Sequence, residues 1–239
     1  MGCLYCKRID RPFTSVEHIF PQGMGNDEKI LPRGVVCDVC NNGVLAQLDQ
    51  TLLDFEPVAF MRMYMGIPNK DGKLPILRYP NVVIERFADN RIRVHAKGRG
   101  RGLEVSPGEE EVKFNLNFRG KKPYAPSHCR KLSRAFYKVG LGLIYLDHGL
   151  SFCHSPRYDE VRTIIQGGIP DFHGYLLFGR RMKPAAPVTA TYTFLQADGF
   201  DTTVFEMNLF GLFVGFDLER RRLDNPSGLD QAEYNVLVF

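Results

Sequence analysis

Cys3-Leu-Tyr-Cys6, Val16-Glu17-His18-Ile19-Phe20-Pro21 and Cys37-Asp-Val-Cys40-Asn41-Asn42 all stand within the first 42 residues, and their spacing decides how the chain folds. Two Cys-x-x-Cys pairs supply four thiolates in two knuckles, the donor set of a tetrahedral zinc. Four thiolates leave no open coordination position, so such a zinc is structural and contributes folding energy. The chain has six cysteines and does not open with a basic segment, an apolar run and a small-residue cleavage site. Metal is therefore a better explanation of the paired cysteines than disulfides, and a cytoplasmic location is expected. The opening Met-Gly-Cys lacks the Ser or Thr at position six that myristoylation prefers, because Cys6 stands there.

Outward from the knuckles, Asn41–Asp54 places Leu45, Leu48, Leu52 and Leu53 at helical spacing, so residues 3–55 read as knuckle, short hairpin and helix. Gly66-Ile-Pro-Asn-Lys-Asp-Gly72 breaks the pattern. Alternating stretches at Val82–Phe87 and Ile92–His95 then predict strands. Lys97-Gly-Arg-Gly-Arg-Gly102 through Pro107-Gly-Glu-Glu-Glu111 is too polar to pack a core and reads as a mobile loop. Cys129–Leu146 predicts a helix whose apolar face carries Leu132, Phe136, Val139, Leu143 and Leu146. Arg130, Lys131, Arg134 and Lys138 line the other side. Tyr158–Gln166 predicts another helix closed by Gly167-Gly168, and the chain from Tyr175 onward alternates in strand fashion. The apolar run Phe205–Phe216 is shorter than the roughly 20 residues of a membrane span and reads as buried strand.

Charge is unevenly placed. Residues 61–138 carry 18 Lys and Arg against 7 Asp and Glu, whereas 1–60 carry 5 against 8 and 139–239 carry 8 against 12. A basic middle is what a polyanion groove requires, because neutralising phosphates supplies most nonspecific affinity. Candidate nucleic-acid contacts are Arg91, Arg93, Lys97, Arg99, Arg101, Lys121, Lys122, Arg130 and Arg134. The pairs His128-Cys129 and Cys153-His154 lack knuckle spacing and read as buried cysteines rather than a second metal site.

The combined pattern Cys3-x-x-Cys6, Glu17-His18-Ile-Phe-Pro21, Gly25 and Cys37-Asp-Val-Cys40-Asn41-Asn42 resembles the HNH (ββα-metal) endonuclease family over about residues 1–60. The resemblance implies an α+β protein, with an N-terminal zinc-stapled ββα-metal nuclease unit at 1–60 and a mixed, strand-rich region at 61–239 that selects or regulates the target. Phosphodiester hydrolysis needs an activated water, a cation on the scissile phosphate and a stabilised leaving oxygen. His18 is the expected general base. Glu17, Asn41 and Asn42 are hard oxygen donors suited to Mg²⁺ or Mn²⁺, and the resemblance implies that the acidic residue and the residue after the second knuckle hold that ion.

Two departures from the family pattern stand out. The asparagine that in many relatives lies on the second hairpin strand and orients the general base has no counterpart in Ile30–Val36, and Asn26 is its nearest substitute. The last family position is Asn41 rather than His.

Similar modules joined to unfamiliar C-terminal regions look like those of bacterial restriction and anti-phage defence proteins. DNA is the expected substrate, RNA remaining open. Cutting two strands with one site per chain favours a homodimer, and an activating partner protein is a further expectation. The competing reading is a non-catalytic zinc-knuckle module that binds nucleic acid.

Overall fold

The first knuckle is a tight loop in which Cys3 N donates to Arg8 O and Lys7 N to Cys3 O (2.9 and 2.8 Å), with Lys7 in the left-handed region. A Cβ at residue 2 would lie 2.2 Å from Lys7 O, so only glycine fits there. The structure is a computed structural model that describes residues 2–25, 28–87, 89–96, 103–105, 126–180, 188–197, 200–220 and 234–238.

Strands β1 (Glu17–His18) and β2 (Ile30–Leu31) pair antiparallel, Glu17 opposite Leu31 and His18 opposite Ile30. The second knuckle opens a helical stretch made of α1 (Asp38–Cys40), a π-turn (Asn41–Leu45) and α2 (Ala46–Asp54). Leu45, Leu48 and Leu52 are buried as their spacing predicts. Phe55 leaves the helical region, and α3 (Glu56–Met65) follows at once, with Pro57 in its first turn and Gly66 in the left-handed conformation at its end. The sequence reading did not anticipate α3.

Four short strands, β3 (Ile76–Arg78), β4 (Val82–Arg86), β5 (Ile92–Ala96) and β6 (Leu103–Val105), form an antiparallel sheet in chain order. Its small core of Met63, Leu77, Ile84 and Ile92 is shared with α3. Strand β6 lies inside the passage expected to be a polar loop; the rest of that passage lies outside the described residues.

Helix α4 (Pro126–Cys153) is interrupted at Gly149, and α5 (Asp159–Gln166) ends at left-handed Gly167. A second antiparallel sheet has the order β11-β7-β10-β9-β8, formed by β7 (Tyr175–Arg180), β8 (Thr189–Ala197), β9 (Phe200–Leu209), β10 (Leu212–Asp217) and β11 (Tyr234–Val238). The apolar run expected to be one strand is instead a hairpin. It turns at Phe210-Gly211, both with positive φ, and Gly211 N donates to the Asn208 side chain (2.7 Å).

Helix α4 lies between this sheet and the N-terminal unit. A Cβ at Gly140 would meet the Phe205 ring at 3.2 Å, and one at Gly142 would meet Ile19 at 3.1 Å. Two glycines in a helix interior each cost about 1 kcal/mol relative to alanine, and the close approach on both sides accounts for them. One continuous core joins Leu4, Tyr5, Ile19, Phe20, Leu48 and Leu52 to Phe136, Ile144, Ile164, Phe205 and Phe216. Among the described residues no helix is long and apolar enough to cross a membrane.

Candidate functional site

The sulfurs of Cys3, Cys6, Cys37 and Cys40 lie within 4.8 Å of one another, and those of Cys6 and Cys37 are 3.8 Å apart. Sulfurs 2.3 Å from a tetrahedral zinc are separated by about 3.8 Å, so the donor set fits that ion. Hydrogen bonding from Cys40 pulls the Cys3 thiol down to about 5, while burial pushes Cys6 up to about 11 and the bond to Cys3 pushes Cys40 far up.

Residues remote in sequence complete this centre. Gln166, at the end of α5, donates to Cys40 Sγ (3.4 Å), and a His154 ring nitrogen lies 3.1 Å from Cys3 O. Cys129 and Cys153 are buried as free thiols, and burial raises Cys153 to about 12. Among the described residues the four knuckle cysteines form the one cluster that could hold a metal.

The second knuckle also clamps the chain that enters β1. The Asp38 carboxylate accepts from the main-chain N–H and hydroxyl of both Thr14 and Ser15 at 2.6–3.0 Å. These bonds, Ser15's first, draw the carboxyl down to about 2. Asn41 Nδ2 donates to Ser15 Oγ (2.8 Å) and Val16 O (2.7 Å), which brings Asn41 beside the residue preceding Glu17. Asn42 is exposed. Asp38 was missed in the sequence, where the only signal was its place inside the knuckle and a Thr-Ser pair ahead of β1.

Glu17 is buried, and its Oε1 lies 2.5 Å from the Nζ of Lys138, a fully buried lysine of α4. The same ammonium donates to His18 O (2.6 Å), Ile19 O (3.2 Å) and Asp49 Oδ1 (2.7 Å). Burial pushes the Glu17 carboxyl up to about 7, with Lys138 opposing, and Asp49 moves in the same direction for the same reason. Burial alone lowers Lys138, but the two carboxylates more than reverse it, so the ammonium stays charged. Lys138, expected on the basic side of α4 opposite its apolar face, is instead buried against the N-terminal unit. His18 Nδ1 is buried without a hydrogen-bond partner among the described residues. Asn26 lies outside the described residues.

The basic residues singled out in the sequence divide into two groups. Lys97, Arg99, Arg101, Lys121 and Lys122 lie outside the described residues. Arg91 pairs with Asp89 (2.7 Å), and Arg93 stacks over Phe87 at 4.5 Å. Arg130 donates to Phe172 O (3.1 Å) and meets Asp171 (3.2 Å). Arg134 donates to Ile165 O (2.9 Å), satisfying a carbonyl at the end of α5.

Residues 3–54 match the family model of HNH endonucleases. No curated protein and no solved structure matches the chain. The matched segment spans both knuckles, the β1–β2 hairpin and the helical stretch through α2. Residues 3–54 are therefore similar to HNH endonucleases, with four cysteines placed to bind a metal ion, and a strand-rich region follows them.

Proposed function

We propose that the protein is a metal-dependent endonuclease that hydrolyses DNA phosphodiester bonds, with zinc held by Cys3, Cys6, Cys37 and Cys40 as its structural staple. The observation that carries this reading is the pairing of Glu17-His18 on β1 with Asn41 alongside, inside a segment that matches the HNH endonuclease model. His18 takes the proton of the attacking water. Glu17 and Asn41, with Asn42 next in line, would hold a divalent cation, Mg²⁺ or Mn²⁺ by the hardness of oxygen donors. When bound, that cation supplies charge stabilisation on the scissile phosphate. With Nδ2 committed to Ser15 and Val16, the Asn41 amide oxygen is the atom available for this role.

Residues 61–239 select or regulate the target, because the first sixty residues are net acidic and the basic surplus lies in 61–138. Restriction or anti-phage defence in a bacterial cytoplasm is the setting this reading favours, with a homodimer cutting both strands and an activating partner as a further element.

The test is cleavage of plasmid, phage DNA and RNA with Mg²⁺, Mn²⁺ or EDTA, comparing wild type with a folded, zinc-loaded His18→Ala variant. Loss of a general base removes about 10²–10⁴ in rate. Cutting that survives in His18→Ala at the wild-type rate refutes the assignment. One observation favours the second reading, a binding module without catalysis: Glu17 is engaged by a buried lysine. A zinc-loaded protein that binds nucleic acid and cuts none of these substrates would establish it.

A further inference from the structure

Lys138 is the only fully buried lysine among the described residues, and what it touches is the hairpin that bears His18. An ammonium has three N–H donors. His18 O at 2.6 Å, Asp49 Oδ1 at 2.7 Å and Ile19 O at 3.2 Å use all three, and Glu17 Oε1, 2.5 Å away, is held as an ion pair. The strand opposite β1 offers no such donor, since Leu31 faces Glu17 and Ile30 faces His18. The lysine is itself fixed: Tyr5, between the first-knuckle cysteines, donates its hydroxyl to Lys138 O (3.0 Å), and Gly142 one turn on lets α4 close against Ile19.

We propose that Lys138 is a positioning residue for the hydrolytic site. It holds the His18 main chain and the Glu17 carboxylate on one nitrogen, so that the imidazole and the acidic cation ligand keep a fixed relation. The assignment rests on the nuclease reading of the hairpin. It acts from a helix 120 residues downstream, on the main chain of His18 and not on its ring. Side chains set on rigid elements hold geometry more closely than loops do, and a displacement of about 1 Å can cost 10²-fold in rate.

The experiment uses the full-length, zinc-loaded chain. In Lys138→Met, kcat for plasmid cleavage should fall about 100-fold, while the Kd for the same DNA measured with Ca²⁺ stays within about twofold. Lys138→Arg keeps the charge and so preserves the fold, but its planar fork cannot bring one nitrogen to all these oxygens. It should lose at least about tenfold in kcat with unchanged Kd. Phe136→Leu perturbs the same helix without touching the hairpin and should cut at the wild-type kcat. A folded Lys138→Met or Lys138→Arg with wild-type kcat overturns the proposal and leaves the nuclease reading standing. So does an equal loss in Phe136→Leu, which would mark a purely structural effect. A wild-type protein that cuts no substrate overturns the nuclease reading, and this proposal with it.

Discussion

Replacing Lys138 by methionine isolates the electrostatic term at the centre of the molecule, because the side-chain volume is nearly kept and no cavity opens. The Lys138 side chain is 0% exposed, with Glu17 at 2% and Asp49 at 23%. Removing one member of a buried ion pair costs about 3–5 kcal/mol, mainly because the partner charge is stranded. Two carboxylates are stranded here, but Glu17, already raised to about 7, relieves part of its share by taking a proton. The His18 and Ile19 carbonyls each lose a donor worth about 1 kcal/mol. We therefore expect a loss of about 4–5 kcal/mol, or roughly 10–20 °C in Tm for a chain of this size. Urea denaturation at fixed zinc measures it, with Asp49→Leu made in both backgrounds. The double variant should be at least about 2 kcal/mol more stable than the sum of the single losses predicts, because removing Lys138 leaves Asp49 without its cation. A Lys138→Met protein within about 1 kcal/mol of wild type, or strict additivity with Asp49→Leu, would refute the reasoning.

Elemental analysis should find one zinc per chain, and Cys37→Ser or Cys40→Ser should lose both the zinc and cooperative unfolding of the N-terminal unit. Gly142→Val should destabilise by about 1–3 kcal/mol in thermal melts, since even its Cβ meets Ile19 at 3.1 Å, whereas Leu146→Gln at an exposed position stays within about 0.5 kcal/mol. Replacing Arg99, Arg101, Lys121 and Lys122 together by alanine should weaken DNA binding and reduce the slope of log K against log salt by up to about 3.6. Arg134→Met should leave that slope unchanged and cost about 1 kcal/mol of stability, because its hydrogen bond goes to Ile165 O.

What was legible in the sequence is what depends on local chemistry. Cysteine spacing announced the metal cluster because a Cys-x-x-Cys knuckle bends one short loop around one ion, and the four sulfurs do converge. The helical stretch after the second knuckle and the helix ended by Gly167 were legible because period and cap lie within a few residues. Helix α3 escaped because only Phe55 separates it from α2, with no polar cap there to announce it. The turn at Phe210-Gly211 was hidden in an apolar run, marked only by Asn208 and Gly211. Lys138 is the residue whose environment the sequence conceals most. On a helical wheel it is one more cation beside Arg134, and nothing nearby in the chain reveals that Glu17 and Asp49 lie 121 and 89 residues upstream.

The placement of Lys138 bears on how the chain works. The N-terminal segment brings the thiols, the histidine and the hard oxygen donors, yet it supplies neither the cation that neutralises Glu17 and Asp49 nor the donor that holds His18 O. Both come from α4, and two bonds to the cysteine knuckles come from His154 and Gln166. Helix α4 is at the same time packed against the five-stranded sheet through Gly140 and Phe205. A shift of α4 relative to the hairpin therefore has to move the Lys138 ammonium away from His18 O or carry the hairpin with it. Packed interiors resist gradual deformation, so such a contact divides its states sharply. If residues 61–239 read a target, α4 provides a direct physical path from that region to the proposed hydrolytic residues, and Lys138 is where the path ends.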